Sequence, residues 1–312
     1  MNYYTPEGGL IATAENREYT TTRQGLERAL ERGAILEGTA TLCDHNFNLH
    51  IKLGGGIKAI IPKAEVQYTE GGERVKDIAI LTRVGKPVCF KILGFERDEY
   101  GEVIAIASRR AAQRECMECY IAHLTPGDII PTKITHLENF GAFVDIGCGI
   151  ASLLSIDAIS VSRISHPSVR LSVGDSIFTV VKSIDENGRI YVTERELLGS
   201  WEENAALFSE GETVRGIVRS VENYGIFVEL KPNLAGLAEY RDDVRVGQTA
   251  AVYIKSIIPE KMKIKLIIIN TRNEKCEPEP LEYFIDTSTT THIDSWIYSP
   301  PSCKRVIESV FT

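Results

Sequence analysis

The chain has 312 residues, 43% of them hydrophobic and 25% charged, and a formal net charge of −8. That length suits two or three ordinary domains, and the apolar and charged fractions are those of a globular protein. No run of about 18 apolar residues occurs, so no membrane span is expected, and net acidity excludes indiscriminate coating of a polyanion.

In chain order, residues 1–16 read as a flexible lead. Met1 to Thr22 is polar and lacks an apolar signal core, which speaks against secretion. Residues 22–32 read as a short helix ending at Gly33. A β-rich segment covers 33–114, a helical linker 115–126, a second β segment 127–195, a second linker 196–210 and a third β segment 211–270. Residues 271–312 read as an irregular extension with Pro278, Pro280, Pro300 and Pro301, anchored at Trp296, Tyr298, Ile307, Val310 and Phe311. Seven scattered cysteines, an odd number, argue for a reducing cytosol over a disulfide framework.

The three β segments are related. Glu138-Asn139-Phe140-Gly141-Ala142-Phe143-Val144-Asp145-Ile146 returns as Glu222-Asn223-Tyr224-Gly225-Ile226-Phe227-Val228-Glu229-Leu230. A degraded copy, Asp44 to Leu53, lies upstream. Internal repetition at this scale sets the architecture. Alternation with period two turns Ala142, Val144 and Ile146 inward, and Phe143 and Asp145 outward. It does the same for Ile226, Val228 and Leu230 against Phe227 and Glu229. Two phenylalanines sharing a face with carboxylates are poor core candidates. On the strands before them, Lys133 and Arg219 are placed outward. Asn187-Gly188 marks a hairpin turn. About five short strands per segment fit an all-β chain of three tandem five-stranded OB-type barrels joined by short helical linkers.

With those residues in view, the chain resembles the S-one domain family, the RNA-binding OB-type repeats named after the largest protein of the small ribosomal subunit. The resemblance rests on Gly33, Gly127 and Gly211 at the repeat starts and on Phe140-Gly141-Ala142-Phe143-Val144. It also rests on Val173-Gly174-Asp175 and on Ile184 to Ile190. Val246-Gly247-Gln248 and Ser108-Arg109-Arg110 extend it to the other copies. It implies that single-stranded RNA lies on the outward face. It carries the two aromatic contacts onto Phe140 and Phe143, and onto Tyr224 and Phe227. An acid–base pair falls on Asp185 and Arg189, and in the third copy on Pro259 and Lys263. The family's loop histidine is replaced by Ser155 and Glu239. In the first copy Phe47 and His50 hold the aromatic positions and Pro62 the loop position. That departure implies that residues 33–114 contact the small ribosomal subunit rather than grip RNA.

The physical case for RNA stands beside the resemblance. Every base has a π face, and stacking on an aromatic is worth ~1–3 kcal/mol per base without a sequence requirement. Lys133, Arg189, Arg219 and Lys263 would hold phosphates at the rim. His166, between Arg163 and Arg170, reads as part of a surface loop. Cys116 and Cys119 form a lone CxxC without a second pair, which reads as packing rather than zinc. No phosphate loop or catalytic constellation is visible, so neither an enzyme nor a cofactor is expected. The expectation is a cytoplasmic, bacterial-type mRNA-binding translation protein. Alternatives are an RNA-processing, decay or ribosome-maturation factor, and a protein-interaction scaffold.

Overall fold

The computed structural model describes residues 4–69, 75–98, 100–273 and 281–312. Among these residues the strands form three closed five-stranded barrels and one two-stranded sheet. The expected all-β, OB-type architecture is therefore observed. The chain divides into two units, residues 1–124 with 145–151, and residues 125–144 with 152–312.

In the first unit, α1 (Ala14–Thr21) and α2 (Arg23–Arg32) precede the first barrel. Thr13 and Thr22 cap them by accepting the amides of Asn16 and Gly25. Gly33 ends α2 at φ 62, a left-handed cap that glycine adopts without a Cβ penalty. The barrel strands are β1 (Leu36–Cys43), β2 (Leu49–Lys52), β3 (Lys58–Ile61), β4 (Pro87–Arg97) and β5 (Val103–Ser108). They run in the order β1-β2-β3-β5-β4, with α3 (Asp77–Leu81) between β3 and β4. Leu49, Ile51, Ile61, Val88 and Phe90 share a core with Leu26 and Ala29 of α2. Each such large aliphatic or aromatic side chain contributes about 1.5–3 kcal/mol by leaving water.

Within the expected lead, the described residues 4–16 are held by buried polar contacts. Glu7 is buried and forked by Arg109, with Nε to Oε1 at 2.6 Å and Nη2 to Oε2 at 3.1 Å. Burial opposes ionisation of Glu7, but Arg109 and then Arg83 outweigh it and hold the carboxyl below its usual range. Glu37 accepts the amides of Gly8, Leu10 and Ile11. The segment is polar because buried carboxylates satisfy its backbone, not because water does. Arg109 opens α4 (Arg109–Cys119), whose Cys116 is buried while Cys119 is exposed.

The second unit holds the other two barrels. The middle one comprises β6 (Ile129–Glu138), β7 (Gly141–Asp145), β8 (Ala151–Ser155), β9 (Ser176–Ile184) and β10 (Ile190–Thr193), with α5 (Ile156–Ile159) after β8. Its order, β6-β7-β8-β10-β9, repeats that of the first barrel. The linker after it is less helical than expected: one 3-10 turn (Arg195–Leu198) and α6 (Trp201–Ala205), started by a Ser200–Glu203 capping box. The third barrel comprises β11 (Thr213–Glu222), β12 (Gly225–Lys231), β13 (Leu234–Ala238), β14 (Thr249–Ile258) and β15 (Lys263–Arg272), again ordered β11-β12-β13-β15-β14.

The C-terminal segment is more ordered than expected. Its strands β16 (Ser295–Ile297) and β17 (Glu308–Val310) pair antiparallel. Trp296 and Tyr298 join the core of the third barrel with Trp201 and Leu234. Tyr283, Ile285, Ile293 and Phe311 pack with Ile129 and Val180 of the middle barrel and with Leu197 of the linker turn. Its strands are three residues long, too short for a sequence alternation to announce them. Pro278 and Pro280 lie outside the described residues.

Candidate nucleic-acid interface

The glycine between the two aromatics of each full copy sits where strands approach closely. A Cβ on Gly141 would lie 2.4 Å from the Leu154 carbonyl oxygen, and one on Gly225 would lie 2.6 Å from that of Ala238. Only glycine lets β7 and β12 begin there, and the turn before each glycine then throws an aromatic outward. Phe140 is 54% exposed and Tyr224 71%. Phe143 and Phe227, the outward residues two positions past the glycines, are half-buried. Phe140 meets Phe143 edge-to-face at 6.1 Å and 89°, and Tyr224 meets Phe227 at 6.1 Å and 84°. The structure thus brings together both predicted ring pairs, in the same geometry.

The carboxylates expected beside them in solvent are buried. Asp145 accepts the amides of Glu7, Gly147 and Gly149 at 2.7, 2.8 and 2.9 Å. Burial, reinforced by Glu7, raises its carboxyl to about 6. Glu229 lies between Arg170 and Arg219, with Arg219 donating through Nη2 at 2.8 Å and through Nε at 3.1 Å. The outward side of these strands is covered beyond the phenylalanines, so sharing their face does not mean facing water.

Arg219 is therefore not a free rim cation: its fork is committed to Glu229. In β11 the register shifts between Val218 and Ser220, and Ser220 stands opposite Phe227. A bulge reverses the alternation, so counting by twos along the sequence selects the wrong residue. Arg170, expected in a surface loop, is buried on Glu229. His166 stays exposed and bonds Ser168.

Of the other expected contacts, Asp185 shapes the β9–β10 hairpin by accepting the amides of Asn187 and Arg189, both at 2.9 Å. This leaves Arg189 exposed at the turn. Lys133 is half-buried on β6 and Lys263 exposed at the start of β15.

Two rings escaped the sequence reading. His136 on β6 stands beside Phe143 with centroids 6.5 Å apart and planes 27° apart. Tyr191 on β10 is opposite Leu153, and its hydroxyl lies 3.5 Å from Asp185 Oδ2. Tyr191 had a signal, since Ile190 and Val192 alternate with it and are buried. In the third barrel the corresponding row runs Ser220, Phe227, Leu237, Lys265, with a lysine closing it.

In the first barrel the row is Leu42, His50, Ile60, Ile106. His50 bonds Asp44 at 3.2 Å, and Phe47, at φ 62 in the turn, packs against the barrel core under Lys63 Nζ at 4.3 Å. Phe47 and His50 do not form the ring pair of the other barrels. At the hairpin tip Asp98 collects the amides of Tyr100 and Glu102, and Lys58 pairs with Glu102 at 3.2 Å. This face is aliphatic apart from His50, and an acid closes the turn where the middle barrel has Arg189.

Comparison with known proteins agrees with the middle barrel's geometry. Residues 123–194 match the family model of the S1 RNA binding domain, the S-one family. The small ribosomal subunit protein bS1 of Staphylococcus saprophyticus is 31% identical over 180 residues, 52% of this chain and 46% of that protein. Its counterpart in Mycolicibacterium smegmatis is 26% identical over 300 residues, 89% of this chain and 59% of that protein. The chain spans about half the length of the curated relatives it matches. Among solved structures, a multidomain protein with nucleic acid binding domains from Streptococcus pneumoniae aligns at 15% identity. The alignment covers 78% of this chain and 76% of that one, with a TM-score of 0.25.

Proposed function

We propose that the chain binds single-stranded RNA on the outward ring faces of its middle and third barrels. The observation that carries this reading is the repeated ring pair, one ring exposed and one half-buried, edge-to-face at 6.1 Å in both barrels. Two rings at unequal heights present stacking surface to successive bases. Arg189, Lys263 and Lys265 lie at the margins for phosphates. Stacking supplies most of the affinity, and two modest sites on one chain gain by effective concentration.

The place of action is the cytoplasm, on or beside the small ribosomal subunit, holding mRNA during translation. The similarity to small ribosomal subunit proteins supports this. The aliphatic row of the first barrel supports a protein contact there rather than an RNA contact. No described helix is long and apolar enough to cross a membrane, and no part of the reading requires one. Cosedimentation of the full chain with ribosomes, beside Leu42→Glu on the exposed edge of that row, tests the assignment. Enrichment on small subunits that Leu42→Glu weakens is the expected result. Enrichment on a nuclease or on an assembly intermediate would instead make it a processing or maturation factor.

A further inference from the structure

We infer that His136 and Phe143 form a two-walled slot for one nucleobase in the middle barrel, making His136 an RNA contact in its own right. The inference rests on the RNA reading above and deepens it. His136 stands on β6 beside Phe143 on β7, where Thr135 Oγ1 donates to the Phe143 carbonyl at 3.0 Å and fixes the two strands locally. The imidazole is 62% exposed, so the protein core does not need its ring. Its Nε2 lies 2.8 Å from Glu138 Oε1, which limits ring rotation and keeps it upright next to the phenyl.

The ring spacing is close to what a base needs, the centroid distance being the widest the gap can be. Stacked bases repeat at about 3.4 Å, so a base held on both faces needs walls about twice that distance apart. The His136 and Phe143 centroids are 6.5 Å apart and their planes only 27° from parallel. Phe140, edge-on to Phe143 at 6.1 Å, closes the side of the same ring and offers its own face to the next base.

The other barrels provide the contrast. The residue beside the second aromatic position is Leu42 in the first barrel, opposite His50, and Ser220 in the third, opposite Phe227. Of the three, only the middle barrel has a ring on both strands. The third barrel has a single wall at this place, Phe227, and the first a single imidazole, His50, tied to Asp44. The middle barrel is therefore the stronger site.

The test uses the full chain and fluorescein-labelled oligoadenylate about ten nucleotides long, followed by anisotropy. Phe143→Ala is expected to weaken binding by tenfold or more, and His136→Ala by roughly fivefold or more. His136→Phe keeps a ring without the Glu138 bond, and is expected to bind within about twofold of the native chain. Circular dichroism confirms that each variant is folded. If His136→Ala binds like the native chain while Phe143→Ala does not, the slot is wrong and the RNA reading stands. The slot is also wrong if His136→Phe loses as much as His136→Ala, since the Glu138 bond rather than the ring would then matter. If neither Phe143→Ala nor His136→Ala weakens binding, the RNA reading of this face is itself overturned.

Discussion

Arg170 of the middle barrel's long loop places Nη2 2.5 Å from Glu229 Oε2 on β12 of the third barrel, and both side chains are 5% exposed. Arg219 grips the same carboxylate from β11. One buried acid thus pairs with two guanidinium groups that come from different barrels. Nearby, Asn233 Oδ1 accepts the Val161 amide, and its Nδ2 donates to the carbonyls of Arg195 and Gly199. The middle and third barrels are joined by buried polar bonds rather than by a free linker.

Glu229→Ala is expected to destabilise the second unit by about 3–5 kcal/mol, because it strands the buried Arg170 and the partly buried Arg219. Urea unfolding followed by tryptophan fluorescence measures this, as Trp201 and Trp296 both lie in the third barrel's core. Arg219→Ala leaves Arg170 on the acid and should cost less. A cost for Glu229→Ala below about 1 kcal/mol, the range of surface pairs, would contradict the arrangement.

A second expectation concerns pH. Burial raises the Glu194 carboxyl to about 8, and the Tyr283 hydroxyl 3.3 Å away only partly offsets this. Between the ordinary carboxyl value of 4.5 and 8 the folded chain keeps a proton that the unfolded chain has released. Stability from this group is therefore fully present below 4.5 and is lost as pH rises through 8. Glu194→Gln has no proton to lose. Its stability relative to the native chain should rise from pH 5 to pH 9 by an amount on the order of a few kcal/mol. Parallel melting curves at several pH values check this, and a constant difference would contradict it.

Removing residues 281–312 takes Trp296, Tyr298 and Phe311 out of two barrel cores. Losing a single buried aromatic side chain costs about 3–5 kcal/mol. The truncated chain should melt roughly 10 °C lower or more, or fail to fold its second unit. Hydrogen exchange should show the loss of protection in β6, where Ile129 donates to the Thr291 carbonyl, and in the third barrel's core strands.

Ser220→His would give the third barrel the second wall that it lacks opposite Phe227. RNA affinity is expected to rise a few-fold, within the ~1–3 kcal/mol of one added stacking contact. Unchanged affinity in a folded variant would show that a ring at this place adds nothing.

The barrels and both ring pairs were legible because their signals are local. Phe140-Gly141-Ala142-Phe143 and Tyr224-Gly225-Ile226-Phe227 carry the turn, the close approach and the alternation within four residues. What was hidden depended on residues far along the chain. Asp145 is buried by the Glu7 amide 138 positions away, and Glu229 by Arg170 59 positions away. The register shift at Arg219 and the companion ring at His136 come from strand geometry that period-two counting cannot follow. The C-terminal strap was illegible because its anchors find their partners only in folded barrels.

The most direct measurement is a single-stranded RNA titration of the full chain and of the Phe143→Ala, Phe227→Ala double variant, repeated across a salt series. We expect the native chain to bind with a shallow dependence, a log–log slope of about −2 from some three phosphate contacts. The double variant should keep its fold and that slope while losing 10-fold or more in affinity. A folded double variant that binds RNA as tightly as the native chain would contradict the assignment of these faces to RNA.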